Sequence, residues 1–228
     1  MDASSPVFFC WESTMSTLKL YGPEFSYFLR SVRLLCQFKG LAYEVTRAPY
    51  GKEIPIFGDE HASLHPFRKL PVLIDGDLVL PETMAIAFYL ESKSGPSFLP
   101  GSIEGKAKIL AQAGIVSLYA HQHLVKNLLL EFAFPKGDQG NVRIDVVKDN
   151  LPAAQNAMRW IADSVGSAQY FIAGQFTLCD AYLIPMLDYI DQLPEPFCIN
   201  KQYANLNDYL AFQRAQTYAE GVLGARKA

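Results

Sequence analysis

The sequence predicts a small α/β domain followed by an all-helical one. Three observations carry this. Strand-like and helix-like stretches alternate from Thr17 to about Ser94. Gly95-Pro96 and Pro100-Gly101 then punctuate the chain as a linker does. Beyond Ser102, long runs at helical spacing replace the strand signals. The expected division is residues 17–94, a linker at 95–102, and residues 103–228.

The elements follow in order. Residues 1–16 do not resemble the rest. Asp2 stands where a signal peptide would carry positive charge, and the apolar run Pro6 to Trp11 is too short for its hydrophobic region. We expect an extension outside the fold, with Met15 as a second possible start. "TLKLY" reads as the first strand. Ser26 to Lys39 reads as a helix, with Phe28, Leu29, Val32, Leu35 and Cys36 mostly on one face and Gly40 as its stop. Ala42 to Thr46 is a second strand, and Lys52 to Leu64 a weak helix. Val72-Leu73-Ile74 and Leu78-Val79-Leu80 form a hairpin, because Asp75-Gly76 tolerates the positive φ angles of a tight turn. Glu82 to Ser92 is a third helix. The second part shows helical patterns at about Ile103 to Phe134, Val142 to Val165, Leu178 to Leu193 and Leu206 to Tyr218, with loops at Pro135-Lys136-Gly137 and Pro194-Glu195-Pro196.

Composition narrows the function classes. The chain has 228 residues, 50% hydrophobic and 19% charged, so it can bury a real core. A net charge of -3 without runs of Lys or Arg argues against nucleic acid as a partner. No stretch approaches the roughly 18 apolar residues of a membrane span. Cys10, Cys36, Cys179 and Cys198 are widely spaced and lack a CxxC pattern, so they read as intracellular thiols and predict a cytoplasmic protein.

Pro71 is the odd residue of the hairpin, since a proline at a strand start removes a ladder donor. Its context explains it. "HPFRKLPVLIDGDLVLPETMAIAFYL" (His65 to Leu90) resembles the signature of the glutathione S-transferase family, "PFGK-V-P-x-L", a hairpin, then "E-S-x-A-I-x-x-Y-L". Ser26, Arg30 and Val32 resemble that family's "S-x-x-x-R-x-V" pattern. Phe171 to Leu187 resembles its "F-x-x-G-x-x-(S/T)-x-A-D" signature, where Thr177 and Asp180 read as a capping-box-like helix start. The resemblance covers Leu18 to about Tyr218. It implies a thioredoxin-like first domain with a cis Leu70-Pro71 bond, an all-α second domain, glutathione as co-substrate and a homodimer.

The resemblance also implies roles. Ser26 would donate a hydrogen bond to the glutathione thiolate, aided by the positive end of the helix dipole. A serine there is also a common helix cap. Tyr21 is the rival, about one residue out of register with tyrosine-type members. Leu70, beside Pro71, would offer backbone groups to the cysteinyl part, as an added strand does. Glu82 would take the γ-glutamyl ammonium and Thr83 its carboxylate. Lys52 would pair with the glycyl carboxylate, and Lys69 is a second cation nearby. Arg68 stands where the family often has Gly, which leaves the turn open. Tyr119, His123 and Phe132 lie on the helix that lines the family's electrophile pocket.

Other chemistry has weaker support. His61 and His65 are four apart, but Pro66 disfavours helical geometry at His65, and a third ligand is not evident. His121 and His123 are two apart on a predicted helix and face different ways. No metal is expected. Thiol–disulfide chemistry would want Cys near position 26, and Cys36 should be buried. The expected activity is conjugation of the glutathione thiolate to a small apolar electrophile. The alternatives are a non-catalytic ligand-binding or interaction protein of the same family, or a glutathione-dependent isomerase or peroxidase.

Overall fold

The computed structural model describes residues 17–172 and 174–224, so the expected extension 1–16 lies outside the described residues. Strand β1 (Leu18–Tyr21) pairs in parallel with β2 (Tyr43–Thr46) and antiparallel with β3 (Val72–Asp75). Strand β4 (Leu78–Pro81) closes the hairpin with β3, giving the sheet order β2-β1-β3-β4.

Period-two alternation sorts the strand side chains. Leu18, Leu20 and Leu73 join the main core under helix α1 (Tyr27–Lys39) and helix α2 (Thr83–Glu91). Tyr21, Val72 and Ile74 form a separate cluster with Ile54 and Leu64 on the other face. Helix α1 starts where Ser26 caps it. It stops at Gly40, whose φ of +68° lets its N–H reach the carbonyls of Cys36 and Gln37.

The weak helix expected over Lys52 to Leu64 is not formed. Only a 3-10 turn at Asp59–Ser63 survives. Pro55 and Gly58 interrupt the segment, and Phe57 takes a left-handed φ of +66°.

The second part is helical, as expected. Helix α3 (Ile103–Gly114) runs without a break into π-helical turns at Ile115–Ala120 and Gln122–Leu129 and ends as α4 (Leu130–Ala133). In this stretch the His121 N–H bonds the Val116 carbonyl, five residues back. Helices α5 (Ile144–Val165), α6 (Leu178–Ile190) and α7 (Ala204–Arg214) complete the bundle. Twelve of the thirteen α6 residues are buried, so α6 is its central helix.

One apolar core runs through both parts, from Leu18 to Val222. The linker is held rather than loose. The buried Lys39 ammonium donates to the carbonyls of Glu91 and Pro96, and the Glu91 carboxylate accepts from Ser97 and from the Phe98 N–H.

Candidate functional site

The strand register decides where the candidate residues meet. Tyr21 at the end of β1 faces Thr46 on one side and Val72 on the other, and Val72 faces Pro81. The segments that leave β1, enter β3 and leave β4 therefore share one end of the sheet. They carry Ser26, Leu70-Pro71 and Glu82-Thr83. A Cβ added at Gly22, just after β1, would lie 3.6 Å from the Leu70 side chain, so these loops touch.

Ser26 is half-buried at the N-cap of α1. Its Oγ accepts from the Leu29 N–H at 3.5 Å, which uses a lone pair and leaves the hydroxyl proton for a second partner. Both of its neighbours are gripped by α6. Tyr189 donates to the Phe25 carbonyl at 2.6 Å, and the Tyr27 hydroxyl donates to the Tyr182 carbonyl at 2.7 Å. One turn on, Arg30 pairs with the buried Asp188 at 3.2 Å and stacks on the Tyr189 ring.

Tyr21, the rival, points elsewhere. It is fully buried on the far face of the sheet, and its hydroxyl donates to the Ile54 carbonyl at 3.0 Å. Burial pushes its pKa up, against ionisation.

The Leu70–Pro71 bond is cis, as the resemblance implies. The ladder begins at Val72, so Leu70 lies outside the strand register. Just before it, Arg68 takes a left-handed φ of +52°. Arg thus adopts the backbone that glycine would supply at this position, and the turn is kept. Its guanidinium reaches Asp59 and the Phe57 carbonyl.

Glu82 sits between β4 and α2 with φ +70° and ψ 116°. This is strained for a non-glycine residue, and such residues concentrate at ligand sites. Its side chain does not cap α2, so the first-turn amides of that helix lack a side-chain cap from this residue. Thr83 is buried as the first residue of α2.

His61 and His65, weak candidates for metal ligands in the sequence, each hold a stretch of backbone in the structure. In both rings Nδ1 accepts a backbone N–H: His61 from Phe57 at 3.2 Å, His65 from Phe67 at 3.1 Å. The proton must then sit on Nε2. His61 Nε2 meets the Lys69 carbonyl at 3.2 Å, and His65 Nε2 meets the Glu82 carboxylate at 3.1 Å. Burial lowers the His61 pKa, which favours its neutral form.

The Lys52 loop leaves β2 at the same end of the sheet, but its ammonium pairs with Glu60 at 2.8 Å, well exposed. Lys69 is exposed. Tyr119 is exposed on the π-helical stretch, whereas His123 turns onto α5 and bonds Asn150. Phe132 packs on Phe197 within the helical domain. His121 of this stretch reaches α1, its ring tilted against those of Tyr27, 5.2 Å between centroids, and Phe28, 4.9 Å. Cys36 is fully buried, and burial pushes its thiol up to about 12. Helix α6 opens with Thr177 donating through N–H and hydroxyl to Asp180, which also accepts from the Phe171 N–H and Tyr209.

Comparison with known proteins agrees with this geometry. A family model described as "Glutathione S-transferase, N-terminal domain" matches residues 20–98. A glutathione S-transferase of Triticum aestivum is 34% identical over 105 residues, 45% of this chain and 47% of that protein. That match spans about half of the wheat protein. Glutathione S-transferase F12 of Arabidopsis thaliana is 28% identical over 184 residues, 76% of this chain and 81% of that one. The crystal structure of poplar glutathione transferase F1 superposes with a TM-score of 0.77 at 18% identity, covering 91% of this chain and 97% of that chain. Residues 20–98 match the N-terminal domain of the glutathione S-transferase family, and the relatives support that family for the chain, while the sheet order, the helical second part and the structural likeness show its fold, a thioredoxin-like N-terminal domain followed by a helical C-terminal one.

Proposed function

We propose that the protein conjugates the glutathione thiolate to a small hydrophobic electrophile. One observation carries this reading: Ser26, Leu70 and the Glu82-Thr83 start of α2 converge at one end of the sheet. The distribution suits an extended tripeptide. The uncapped start of α2 would receive the γ-glutamyl carboxylate and Glu82 its ammonium. Leu70 would pair with the cysteinyl backbone, and Lys52 would take the glycyl carboxylate on leaving Glu60. The thiol would then lie before α1. A free thiol has a pKa near 8.5, and only the thiolate attacks. The Ser26 hydroxyl and the α1 dipole both favour the anion.

The apolar partner has matching surface. Phe25, immediately before Ser26, is 60% exposed, with its ring centroid 6.0 Å from that of exposed Phe134. Leu118 and Tyr119 are exposed on the π-helical stretch. A homodimer belongs to the same reading. Met84 and Phe88 of α2 and Leu110 of α3 are exposed around an apolar hollow shared with Leu99 and Leu178, a surface a second copy could cover. Light scattering tests it.

The activity test is retention on immobilised glutathione with turnover of a generic aryl halide. Ser26→Ala should lower kcat with little change in glutathione affinity. Retention without turnover of any electrophile or peroxide would make the protein a binder. An intact rate in Ser26→Ala with loss in Tyr21→Phe would move the role to Tyr21.

A further inference from the structure

We propose that His65 positions Glu82 and thereby sets selectivity for a peptide bearing a free amino group at its γ-glutamyl end. The inference rests on the glutathione reading above and assigns a role to a residue outside its contact set. The Glu82 side chain is 73% exposed and would sample many rotamers, whereas the His65 side chain is only 3% exposed. A buried donor therefore gives an exposed carboxylate a fixed address.

The ring itself is locked. The Phe67 N–H holds Nδ1, so Nε2 carries the proton and donates to Glu82 Oε1 at 3.1 Å. The His65 backbone is fixed as well. Its N–H donates to the His61 carbonyl at 3.0 Å and its carbonyl accepts from the Arg68 N–H at 2.8 Å. The same turn leads to Leu70, so the γ-glutamyl and cysteinyl parts of the proposed site are referenced to one residue. A neutral imidazole suits the task. It occupies one carboxylate lone pair without cancelling the charge, so Oε2 and the remaining lone pairs stay available to an ammonium. A Lys or Arg in its place would compete with the ligand.

Two substitutions separate this role from a structural one. In His65→Asn the side-chain oxygen can still accept from the Phe67 N–H, but the residue is too short to reach Glu82. In His65→Gln the amide N–H lies near the Nε2 position. Titration calorimetry would compare glutathione with its glutaryl analogue, which keeps the carboxylate and thiol but lacks the amino group. Wild type should prefer glutathione by roughly tenfold or more, as expected for a charge-assisted contact. His65→Asn should lose most of that preference while binding the glutaryl analogue as wild type does, and His65→Gln should restore much of it. Equal weakening of both ligands in His65→Asn, or a retained preference, would overturn the proposal. Glu82→Gln tests the underlying reading by itself. If wild type shows no preference, or Glu82→Gln does not change it, the γ-glutamyl assignment fails together with the role of His65.

Discussion

The Tyr189 hydroxyl donates to the Phe25 carbonyl at 2.6 Å, across 164 residues of sequence, and so fixes the peptide immediately before Ser26. The loop that presents the candidate hydroxyl is thus set by the helical domain as well as by α1. A small displacement of a reacting group can cost a large factor in rate. Tyr189→Phe keeps the ring and its stacking with Arg30 but removes the bond. We predict a severalfold fall in kcat with glutathione affinity within about twofold, since only positioning is lost. Steady-state kinetics with an aryl halide checks this; unchanged kcat would mean that α1 alone sets the loop.

Asp188 lies behind this contact, fully buried between two arginines. Arg30 approaches from α1 at 3.2 Å and Arg214 from α7 at 2.6 Å. Removing the carboxylate leaves two largely buried guanidiniums facing each other. Asp188→Ala should destabilise the protein by about 3 kcal/mol, the lower end for breaking a buried pair, because Arg214 retains Asp191. A urea titration reads it. Lys52→Ala, which breaks an ion pair exposed on both sides, should leave the midpoint in place. Equal effects of the two would mean that the buried Asp188 pairs contribute no more than an exposed ion pair.

His121 predicts an acid-sensitive interface. Burial first, and Lys126 second, lower its pKa from 6.5 to about 4. The unfolded chain therefore takes up the proton before the folded one does. Stability from this residue is fully present above pH 6.5 and is lost as pH falls toward 4, on the order of 3 kcal/mol in all. Asp180 acts with the opposite sign. Burial raises its pKa to about 6, so its contribution fades as pH rises through that value. The difference between wild type and His121→Phe isolates the histidine, because Phe keeps the ring contacts with Tyr27 and Phe28. Denaturation between pH 7 and 4 should show a smaller loss in the variant. Parallel curves would mean that His121 does not titrate in this range.

Legibility in the sequence followed range. Ser26, Leu70-Pro71 and Glu82-Thr83 stand out in the sequence as candidates because each sits in a short motif that the family resemblance singles out: a cap, a strand mouth, a helix start. The hairpin and the stop at Gly40 could be read from local turn and cap chemistry. The contacts that bind those motifs together could not. His65 to Glu82 spans 17 residues and Tyr189 to Phe25 spans 164, and a single sequence carries no signal for either pair. Nothing in the residue spacing separates the π-helical stretch from an ordinary helix. Between Lys52 and Leu64 the helix expected from the sequence gives way to a single 3-10 turn, because Pro55 and Gly58 break the segment.

Arg68 holds a left-handed φ of +52° where glycine would sit without steric cost. That conformation costs an ordinary L-residue about 1–2 kcal/mol. Glycine would relieve this, while its freer unfolded chain takes back about 0.4–1 kcal/mol. The side-chain contacts are exposed, with the Asp59 side chain 99% accessible, so little else is lost. Arg68→Gly should therefore be neutral or stabilising by up to about 1 kcal/mol. Arg68→Ala keeps the strain and drops the contacts, so it should be no more stable than wild type. Urea denaturation of the pair decides the point. Destabilisation by glycine together with destabilisation by alanine would show that the guanidinium's bonds to Asp59 and Phe57 hold the turn, and that the backbone cost is smaller than its φ implies.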